Sequence, residues 1–557
     1  MSAPPGAATA AAPLNVALLL AEAARRAPGQ VALVEPIRGD VWRRTSYAEL
    51  DERTRRIAGG LARLGLTRGD RACVFLRPGR DWVAAVYALF RLGAVPVMID
   101  PGLGRRAVLA CVARTRPRAF AGLPVAHALR LASPRAFASV EIAVGTGAPQ
   151  LWSGPSLERL AREGDPDLPP APTAEDDPAA ILFTSGATGP PKGVEYTHGN
   201  FAAQVRSLRE LYGFRPGEVD LACFPLFALL APAFGWTSVL PALEFSRPGR
   251  CDPRAIVETI LEHRVESAFG SPAIWRRVAP YCERSGTKLG ALARLSIAGA
   301  PVEPRLVEAC AALLAPGGEV HTPYGATEAL PVSSARGSEI LGDFRRGSEG
   351  GAGNCVGRAA PGIELALISI SDEPFPLWDE RLRRPDGELG EVCVRGAQVT
   401  RRYADDPRAT ELAKIDDGRG GFWHRMGDVG RLDEHGNLWL LGRKAHRLET
   451  ARGPLMPVGV ENVFGLHPAV GKCALVGTGP HGRQRPVLVV QPERGALPRG
   501  KRRRADLARE ILRAGLWFPA CGRVEAVLWR RSLPVDVRHN AKIDRLALKR
   551  WAERALR

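Results

Sequence analysis

The sequence predicts an α/β fold with doubly wound sheets, because short apolar runs alternate with amphipathic helical stretches. Between residues 31 and 100 the apolar runs Ala72–Leu76 and Ala94–Ile99 alternate with helical patterns over Tyr47–Leu64 and Asp81–Leu92. The 557 residues are enough for about three or four domain-sized units. Hydrophobic residues make up 45% and charged residues 24% of the chain, which excludes a largely disordered, a collagen-like or a polytopic membrane protein.

The other elements are predicted in chain order by the same reasoning. Leu14–Arg26 has the spacing of a first amphipathic helix, and Ala179–Phe183 is an apolar strand. After about Gly350 the pattern changes to short strands and turns. The later elements predicted are a helix over Pro253–His263, a strand over Val265–Phe269, a strand over Leu295–Ala298, a helix over Pro304–Leu314, a strand over Glu391–Arg395, two strands joined by a turn over Gly430–Leu441, and a small α/β unit from about Lys444 onward.

The chain is basic, with 77 Lys and Arg against 59 Asp and Glu and a net charge of +18. Its arginines are spread along the whole length, so the charge does not indicate a nucleic-acid-binding protein. The one dense run, from Arg499 to Arg504, is interpreted as a solvated loop or helix start, with a polyphosphate groove as the alternative. The excess charge also favours anionic ligands or an acidic partner surface.

Ten cysteines lie far apart, so there is no Cys-x-x-Cys zinc or redox spacing, and reduced thiols in the cytoplasm are predicted. The N-terminal residues lack the basic start of a signal peptide. An uncharged stretch over residues 221–243 is interrupted by Pro225, Pro232 and Pro241. It is predicted to form a buried wall or pocket lining, with membrane contact as the alternative and no transmembrane segment.

A loop rich in glycine and hydroxyl groups follows the predicted strand Ala179–Phe183 and has the sequence TSGATGPPKG. Its glycines let backbone amides converge on anionic oxygens, the hydroxyls add donors, and a lysine supplies a positive charge. Its spacing excludes a Walker A loop, and the alternative is an ordinary Gly/Ser/Thr turn. The residues predicted to hold phosphate are Thr184, Ser185, Gly186, Thr188, Gly189 and Lys192.

Four more motifs follow this loop: Tyr324–Glu328, Met426–Asp428, Gly442–Lys444 and Asn540–Ile543. With the loop, they resemble in type and order the motifs of the adenylate-forming superfamily of acyl-CoA synthetases, luciferases and adenylation domains. The resemblance covers nearly the whole chain. It is closest to the β-lactone synthetases of bacterial long-chain olefin biosynthesis, on the stretches TPYGATE (322–328), HRMGDVG (424–430), ETARGP (449–454) and VDVRHNAKI (535–543).

The resemblance implies a large N-terminal domain over residues 1–443, with doubly wound sheets and a small β-barrel-like part, and a small mobile α+β lid domain over 444–557. The implied reaction is adenylation of a long-chain 2-alkyl-3-hydroxy fatty acid by ATP and Mg²⁺, followed by closure of the β-hydroxyl onto the activated carboxyl. Protein partners from the same olefin pathway are a further implication. The alternatives are a long-chain acyl-CoA or acyl-carrier ligase and a scaffold that binds adenylate without turnover.

The resemblance also implies roles for individual residues. Glu328 would hold Mg²⁺, Thr327 would donate to the α-phosphate, Asp428 would accept from the ribose hydroxyls, Arg443 would contact ribose or phosphate, and Lys542 would bridge the carboxylate and the α-phosphate. The alternatives are a helix cap for Glu328, an Asx turn for Asp428, a surface salt bridge for Arg443 and a solvated side chain for Lys542. The other nucleotide-binding residues implied are Gly299, Ala300, Tyr324, Gly325 and Ala326.

The acyl site is predicted from the uncharged stretch and from two segments of small residues. Phe227 and Phe234, together with Phe224, would form its wall, and Gly270 and Ala298 would leave room for acyl chains. Plain core packing is an equal alternative for each of them. His198 follows the phosphate loop and is interpreted as a structural residue rather than a base.

Three positions depart from the superfamily pattern on the loop that faces a pantetheine arm. The superfamily has an acidic hinge, a lysine and a glycine there, whereas this chain has Ala445, Glu449 and Arg452. Glu449 reverses a charge, and Arg452 places a large side chain where a backbone would approach a thiol. The departures argue against thioester formation and favour an intramolecular nucleophile.

Overall fold

The computed structural model describes residues 14–39, 41–147, 152, 154–184, 190–534 and 543–556, with the backbone alone at Thr184. Within them the chain forms two compact units. The first unit contains the residues up to 218 together with 225–240 and 397–410, and the second contains 219–224, 241–396 and the residues from 411 onward.

The chain up to residue 218 alternates strands and helices, as predicted from its apolar runs. Helix α1 begins four residues later than predicted, because the Asn15 side chain accepts a hydrogen bond from the Ala17 amide at 2.9 Å and forms a turn there. The elements are α1 (Leu18–Arg26), β1 (Val31–Arg38), β2 (Val41–Ser46), α2 (Tyr47–Arg63), β3 (Arg71–Phe75), α3 (Arg80–Leu92), β4 (Val95–Met98), α4 (Arg105–Thr115), β5 (Ala119–Gly122), α5 (Pro124–Leu131), β6 (Ile142–Gly145), α6 (Leu157–Glu163), β7 (Pro178–Thr184), β8 (Lys192–Thr197) and α7 (His198–Tyr212).

The chain from 219 to 443 continues the alternation and then changes to short strands after Gly350, as predicted. The elements are β9 (Val219–Ala222), α8 (Ala231–Phe234), β10 (Thr237–Val239), α9 (Pro253–Glu262), β11 (Ser267–Gly270), α10 (Pro272–Ser285), β12 (Arg294–Ile297), α11 (Pro304–Ala311), β13 (Glu319–Ala326), β14 (Ala329–Arg336), α12 (Gly337–Glu339), α13 (Arg345–Glu349), β15 (Asn354–Cys355), β16 (Arg358–Ala359), β17 (Glu364–Ile368), β18 (Gly390–Arg395), β19 (Arg402–Tyr403), α14 (Pro407–Ala413), β20 (Lys414–Asp416), β21 (Phe422–Leu432) and β22 (Leu438–Arg443).

The described residues from 444 onward contain both strands and helices. Their basic run begins a helix with exposed side chains, which confirms the solvated interpretation. The elements are β23 (Leu448–Thr450), β24 (Gly453–Leu455), α15 (Pro457–Gly465), β25 (Val470–Thr478), β26 (Arg485–Pro492), α16 (Lys501–Ala514), β27 (Ala526–Trp529) and α17 (Arg545–Ala555).

The first unit contains a sheet in the order β19-β8-β7-β4-β3-β5-β6. Strands β7, β4, β3, β5 and β6 are parallel, whereas β8 and β19 are antiparallel additions at one edge. Buried Val97, Phe120, Ile181 and Phe183 form part of the core around this sheet. In the same unit, β1 pairs parallel to β10 and antiparallel to β2.

The described residues of the second unit form three larger sheets and a two-stranded hairpin, which confirm the predicted α/β class. Strands β9, β11, β12 and β13 are parallel neighbours, and β14 and β16 extend the sheet in antiparallel fashion. An antiparallel sheet has the order β15-β22-β21-β18-β17, with β20 paired to β21. The last sheet has the order β25-β26-β27, beside the hairpin of β23 and β24.

The uncharged stretch over residues 221–243 is divided into short pieces, and most of its apolar side chains are buried. No helix in the part of the chain that the structure describes is long and apolar enough to cross a membrane. All ten cysteines are buried free thiols, as their spacing predicted.

A buried ion pair joins three elements of the C-terminal part. Both Arg545 guanidinium nitrogens Nη1 and Nη2 contact the Glu461 carboxylate, at 2.6 and 2.7 Å, and each side chain is 14% exposed. The Leu475 amide donates to the same carboxylate at 2.6 Å, and its carbonyl accepts from Arg545 at 3.0 Å. The pair therefore connects α15, β25 and the start of α17.

We expect Arg545→Met to lower the free energy of unfolding of this part by about 3 kcal/mol, because it leaves the Glu461 charge buried without its partner. Urea unfolding followed by tryptophan fluorescence measures the change. Arg550→Met, an exposed position on the same helix, is the matched control and should change it by less than about 0.5 kcal/mol. Equal losses in the two variants would contradict the role of the ion pair.

Candidate active site

The predicted phosphate loop connects two paired strands of the first unit. Thr184 ends β7 and is the register partner of Lys192, which begins β8. Ser185, Gly186, Thr188 and Gly189 lie outside the described residues. The two ends of the loop are therefore paired in an antiparallel ladder. Lys192, the predicted cation of the loop, lies at one of these ends.

Two cations border the described end of this loop. The Lys192 ammonium lies 4.9 Å from the centroid of the Tyr403 ring on β19. The Arg114 guanidinium donates to the Pro191 carbonyl at 3.1 Å and lies 3.6 Å from the Asp406 carboxylate. Sequence reasoning missed Arg114, because nothing in the helical pattern of α4 distinguishes it from the many other arginines.

Thr327 and Glu328 form the turn between β13 and β14, where Ala326 and Ala329 are register partners. Gly325 fits this tight turn because a Cβ there would lie 2.7 Å from the Ala329 carbonyl oxygen. No helix begins at Glu328, so the helix-cap alternative is wrong. The turn presents a hydroxyl and a carboxylate side by side.

The second unit brings together three of the predicted nucleotide-binding side chains. The Tyr324 hydroxyl donates to Asp428 Oδ2 at 2.6 Å, and Arg443 Nε lies 3.2 Å from Asp428 Oδ1. Asp428 and Arg443 are register partners on β21 and β22, and Arg443 also donates to the Met426 carbonyl at 3.0 Å. Asp428 thus lies in a strand, and the Asx-turn alternative is wrong.

The electrostatics of this cluster are consistent with its hydrogen bonds. Burial, and then the neighbouring Asp428 carboxylate, raise the pKa of the Tyr324 phenol well above its usual value, so that it stays protonated and donates. The Asp428 carboxylate accepts from Tyr324 and forms an ion pair with Arg443, and a carboxylate oriented in this way is suited to accept from ligand hydroxyls.

A second buried charge cluster supports the same strands. Glu391 on β18 contacts Arg425 on β21 at 2.7 Å and Lys444, directly after β22, at 3.1 Å. Lys444 also donates to the Ser371 carbonyl at 2.6 Å, and burial lowers its pKa. Sequence reasoning missed Glu391, although a carboxylate within the apolar strand GEVCVR was the available signal.

The small residues predicted for the acyl site and for the nucleotide follow the ends of adjacent parallel strands. Gly270 ends β11, Ala298 follows β12, and the Ala298 amide donates to the Gly270 carbonyl at 3.2 Å. Gly299 has a φ of +93°, which favours glycine. Ala300 comes next, and Tyr324 lies toward the end of β13. These residues therefore lie at the carboxyl ends of the parallel strands, where ligands bind in α/β folds.

The predicted aromatic wall is only partly suited to a ligand. Phe227 is half-buried in a short 3₁₀ helix, and Phe224 is exposed and packs on Phe269 with ring centroids 6.4 Å apart. Phe234 is buried against Phe214 and Trp236, at 4.9 and 4.6 Å between centroids. This burial favours the core-packing alternative for Phe234.

Gly270 makes room for a side chain of its own unit. A Cβ added there would lie 2.7 Å from the indole nitrogen of Trp275, which is fully buried on α10. Packing against Trp275 inside the second unit therefore requires a residue as small as glycine at position 270.

His198 is a structural residue, as predicted. Its Nδ1 accepts a hydrogen bond from the Val16 amide at 3.2 Å, and the imidazole is fully buried. Burial lowers its pKa to about 4, so the ring stays neutral near pH 7. It holds the start of α7 against the segment before α1.

The reversed charge at Glu449 has a partner in the protein. The Glu449 carboxylate forms an ion pair with Arg447, whose guanidinium also contacts Asp372 at 2.6 Å. Arg452 is exposed in the turn between β23 and β24, and Ala445 lies in a short 3₁₀ helix. Lys542 lies outside the described residues.

The chain belongs to the AMP-binding enzyme family, which matches residues 20–404. It is 42% identical over 551 residues to an olefin β-lactone synthetase of Xanthomonas campestris pv. campestris, with 97% of each chain covered. It is 41% identical to an olefin β-lactone synthetase of Stenotrophomonas maltophilia, with 98% of this chain and 99% of the relative covered. The resemblance to the superfamily and to this branch is confirmed.

Solved structures of other proteins have the same fold. ATP-bound MatB from Rhodopseudomonas palustris superimposes with a TM-score of 0.77 at 21% identity, covering 98% of this chain and all of that one. At this identity the likeness concerns the fold alone.

We expect Tyr324→Phe to weaken AMP binding about ten-fold, because the Asp428 carboxylate loses the donor that orients it and a hydrogen bond to a charged group contributes about 1.5 kcal/mol or more. Isothermal titration calorimetry with AMP measures the dissociation constant without turnover. Tyr281→Phe, on α10, is the matched control and should leave it unchanged. An unchanged constant in Tyr324→Phe would contradict the orienting role.

Proposed function

We propose that this enzyme converts a long-chain 2-alkyl-3-hydroxy fatty acid and ATP into a β-lactone, AMP and pyrophosphate. The observation that carries the proposal is the identity of 41–42% over nearly the full length to two proteins named olefin β-lactone synthetase. In the first step a carboxylate oxygen attacks the α-phosphorus and the bond to pyrophosphate breaks. In the second step the β-hydroxyl oxygen attacks the acyl carbon, its proton leaves, and the bond to AMP breaks.

The first step joins two anions, so the residues must neutralise charge. In the proposal, Lys192 and the loop residues Thr184, Ser185, Gly186, Thr188 and Gly189 hold the phosphates. Thr327 donates to the α-phosphate, and Lys542 approaches the carboxylate and the α-phosphate when the lid of residues 444–557 closes on residues 1–443. The pairing of Thr184 with Lys192 supports this assignment, since it brings the two ends of the loop together.

Nucleotide binding is assigned mainly to the strand-borne cluster. Asp428 accepts from the ribose hydroxyls, Arg443 contacts ribose or phosphate, and Tyr324 orients Asp428. The backbone from Gly325 to Ala326 and the turn at Gly299 and Ala300 complete the adenosine side. The support is the hydrogen bond from Tyr324 to Asp428 together with the ion pair of Asp428 with Arg443.

Glu328 is assigned to Mg²⁺. Magnesium is usually bound by one or two carboxylates together with substrate phosphates. No group of three or more His, Cys, Asp or Glu among the described residues could hold a metal ion by itself, and a single carboxylate in a hairpin turn fits the shared arrangement. When bound, Mg²⁺ would neutralise phosphate charge.

The acyl chains are assigned to Phe227, Gly270 and Ala298, with Phe234 supporting the wall from the core. The second step needs no external acceptor, because the hydroxyl and the activated carbonyl belong to one molecule. The Glu449 and Arg452 side chains support this, since both would hinder an incoming pantetheine arm. The ten buried thiols support a reducing compartment such as the cytoplasm.

We expect Lys542→Ala to lower the adenylation rate by more than ten-fold, about 1.4 kcal/mol of transition-state stabilisation, and to leave ATP binding nearly unchanged, since its charge acts on the transition state. Pyrophosphate release measures the rate, and calorimetry measures ATP binding. Lys472→Ala, an exposed lysine on β25, is the control. A rate above a tenth of the wild-type value would contradict the role of Lys542.

We expect a 2-alkyl-3-hydroxy acid to give β-lactone without CoA, with AMP and pyrophosphate in equal amounts. A fatty acid without the hydroxyl should stop at bound acyl-adenylate, because it has no tethered nucleophile. Mass spectrometry of the products, with and without CoA, distinguishes the outcomes. Robust CoA-dependent thioester from simple fatty acids, with no lactone from hydroxy acids, would assign the chain to the ligases instead.

A further inference from the structure

An exposed apolar tip follows the last turn of α16. Trp517 is 89% exposed, the largest fraction of any large hydrophobic side chain in the described part of the chain, and the neighbouring Leu516 is 64% exposed. Indole is a large side chain that is normally well buried or placed where one end is apolar and the other is wet. Leu516 and Trp517 together form an exposed apolar patch, which is typical of a contact surface.

The apolar face of α16 packs inside the protein. Leu507, Ile511 and Leu512 belong to the hydrophobic cluster that includes buried side chains of β25 and β26, together with Phe518 beyond the tip. Arg502, Arg509 and Arg513 are exposed, and their spacing of seven and four residues places them on the opposite face. We call Arg502, Arg509, Arg513, Leu516 and Trp517 the α16 surface.

The charge around the α16 surface is strongly positive. Seven Lys and Arg lie between Arg499 and Arg513, against the two carboxylates Asp506 and Glu510. Asp506 pairs with Arg509, and Glu510 lies 3.4 Å from the His467 imidazole. Since Lys501 to Arg504 are all exposed, most of this charge faces the solvent.

We propose that the α16 surface docks the enzyme on the face of an anionic phospholipid bilayer. A basic helix face complements anionic headgroups, and tryptophan with leucine at its end suits the depth just below them. The helix is about 21 Å long, and because Arg502, Arg509 and Arg513 are distributed along one of its faces, contact through that face would place it along the membrane plane. The bilayer accounts for the basic helix face and for the apolar tip together, and binding of an acidic protein or a nucleic acid in its place is an outcome of the test.

Docking on a bilayer would bring the enzyme to its substrate, an argument that rests on the proposed function. A long-chain 2-alkyl-3-hydroxy acid partitions into bilayers, because the transfer of each methylene group out of water is favourable. An enzyme held at the bilayer face would meet this substrate where it is concentrated.

The test is flotation of the full-length protein with vesicles of phosphatidylcholine alone or of phosphatidylcholine mixed with phosphatidylglycerol. We expect binding to the anionic vesicles, release by salt, and little binding to the neutral ones. Arg502→Glu combined with Arg509→Glu and Arg513→Glu should weaken binding about a hundred-fold or more, and Trp517→Ser should weaken it several-fold.

The matched control reverses three exposed arginines elsewhere, Arg105→Glu, Arg106→Glu and Arg135→Glu, which changes the net charge by the same amount. It should retain binding. Equal loss in the control, equal binding to neutral vesicles, no vesicle binding, or binding of RNA or acidic protein in place of vesicles would each overturn the proposal. Turnover of a detergent-dispersed hydroxy acid should be unchanged in all variants, so failure to dock is distinguishable from failure of the proposed reaction.

Discussion

Burial of the Glu391 carboxylate is the constraint on which the strand-borne part of the site depends. A carboxylate without contact to water must be paired and hydrogen-bonded, or it destabilises the fold by several kcal/mol. Here Arg425 and Lys444 provide the pairing, one from within β21 and one from the residue after β22. The ion pairs of Glu391 therefore stabilise the register of β18, β21 and β22. Asp428 on β21 and Arg443 on β22 are positioned by the same register.

Two different sheets of the second unit contribute to the candidate nucleotide site. The mostly parallel sheet supplies backbone turns and small residues at the ends of β11, β12 and β13, where α/β folds bind ligands. The antiparallel sheet supplies the carboxylate and guanidinium of Asp428 and Arg443. The Tyr324 hydroxyl joins the two, since it belongs to β13 and donates to Asp428 on β21. One short hydrogen bond thus connects the turn that carries Glu328 with the strand that carries Asp428.

The departures from the superfamily loop have structural compensation. Glu449 reverses a charge, yet Arg447 lies beside it and also contacts Asp372, so the carboxylate is neutralised without a ligand. The glutamate at this position therefore gives an ion pair inside the protein. Such a loop suits an enzyme whose nucleophile is part of the substrate.

The sequence by itself determined the α/β class, the order of the motifs and the position of the glycine-rich loop between β7 and β8, because apolar periodicity and runs of glycine and hydroxyl residues are local patterns. It also determined that His198 is structural and that the basic run begins a solvated helix. The tertiary structure alone decided that Glu328 lies in a hairpin turn and that Phe234 packs in a core. It alone paired Tyr324 with Asp428, 104 residues apart, and buried Glu391 between two cations. Partners that are distant in the chain are selected by packing and by the need to neutralise buried charge, and no local pattern records that choice.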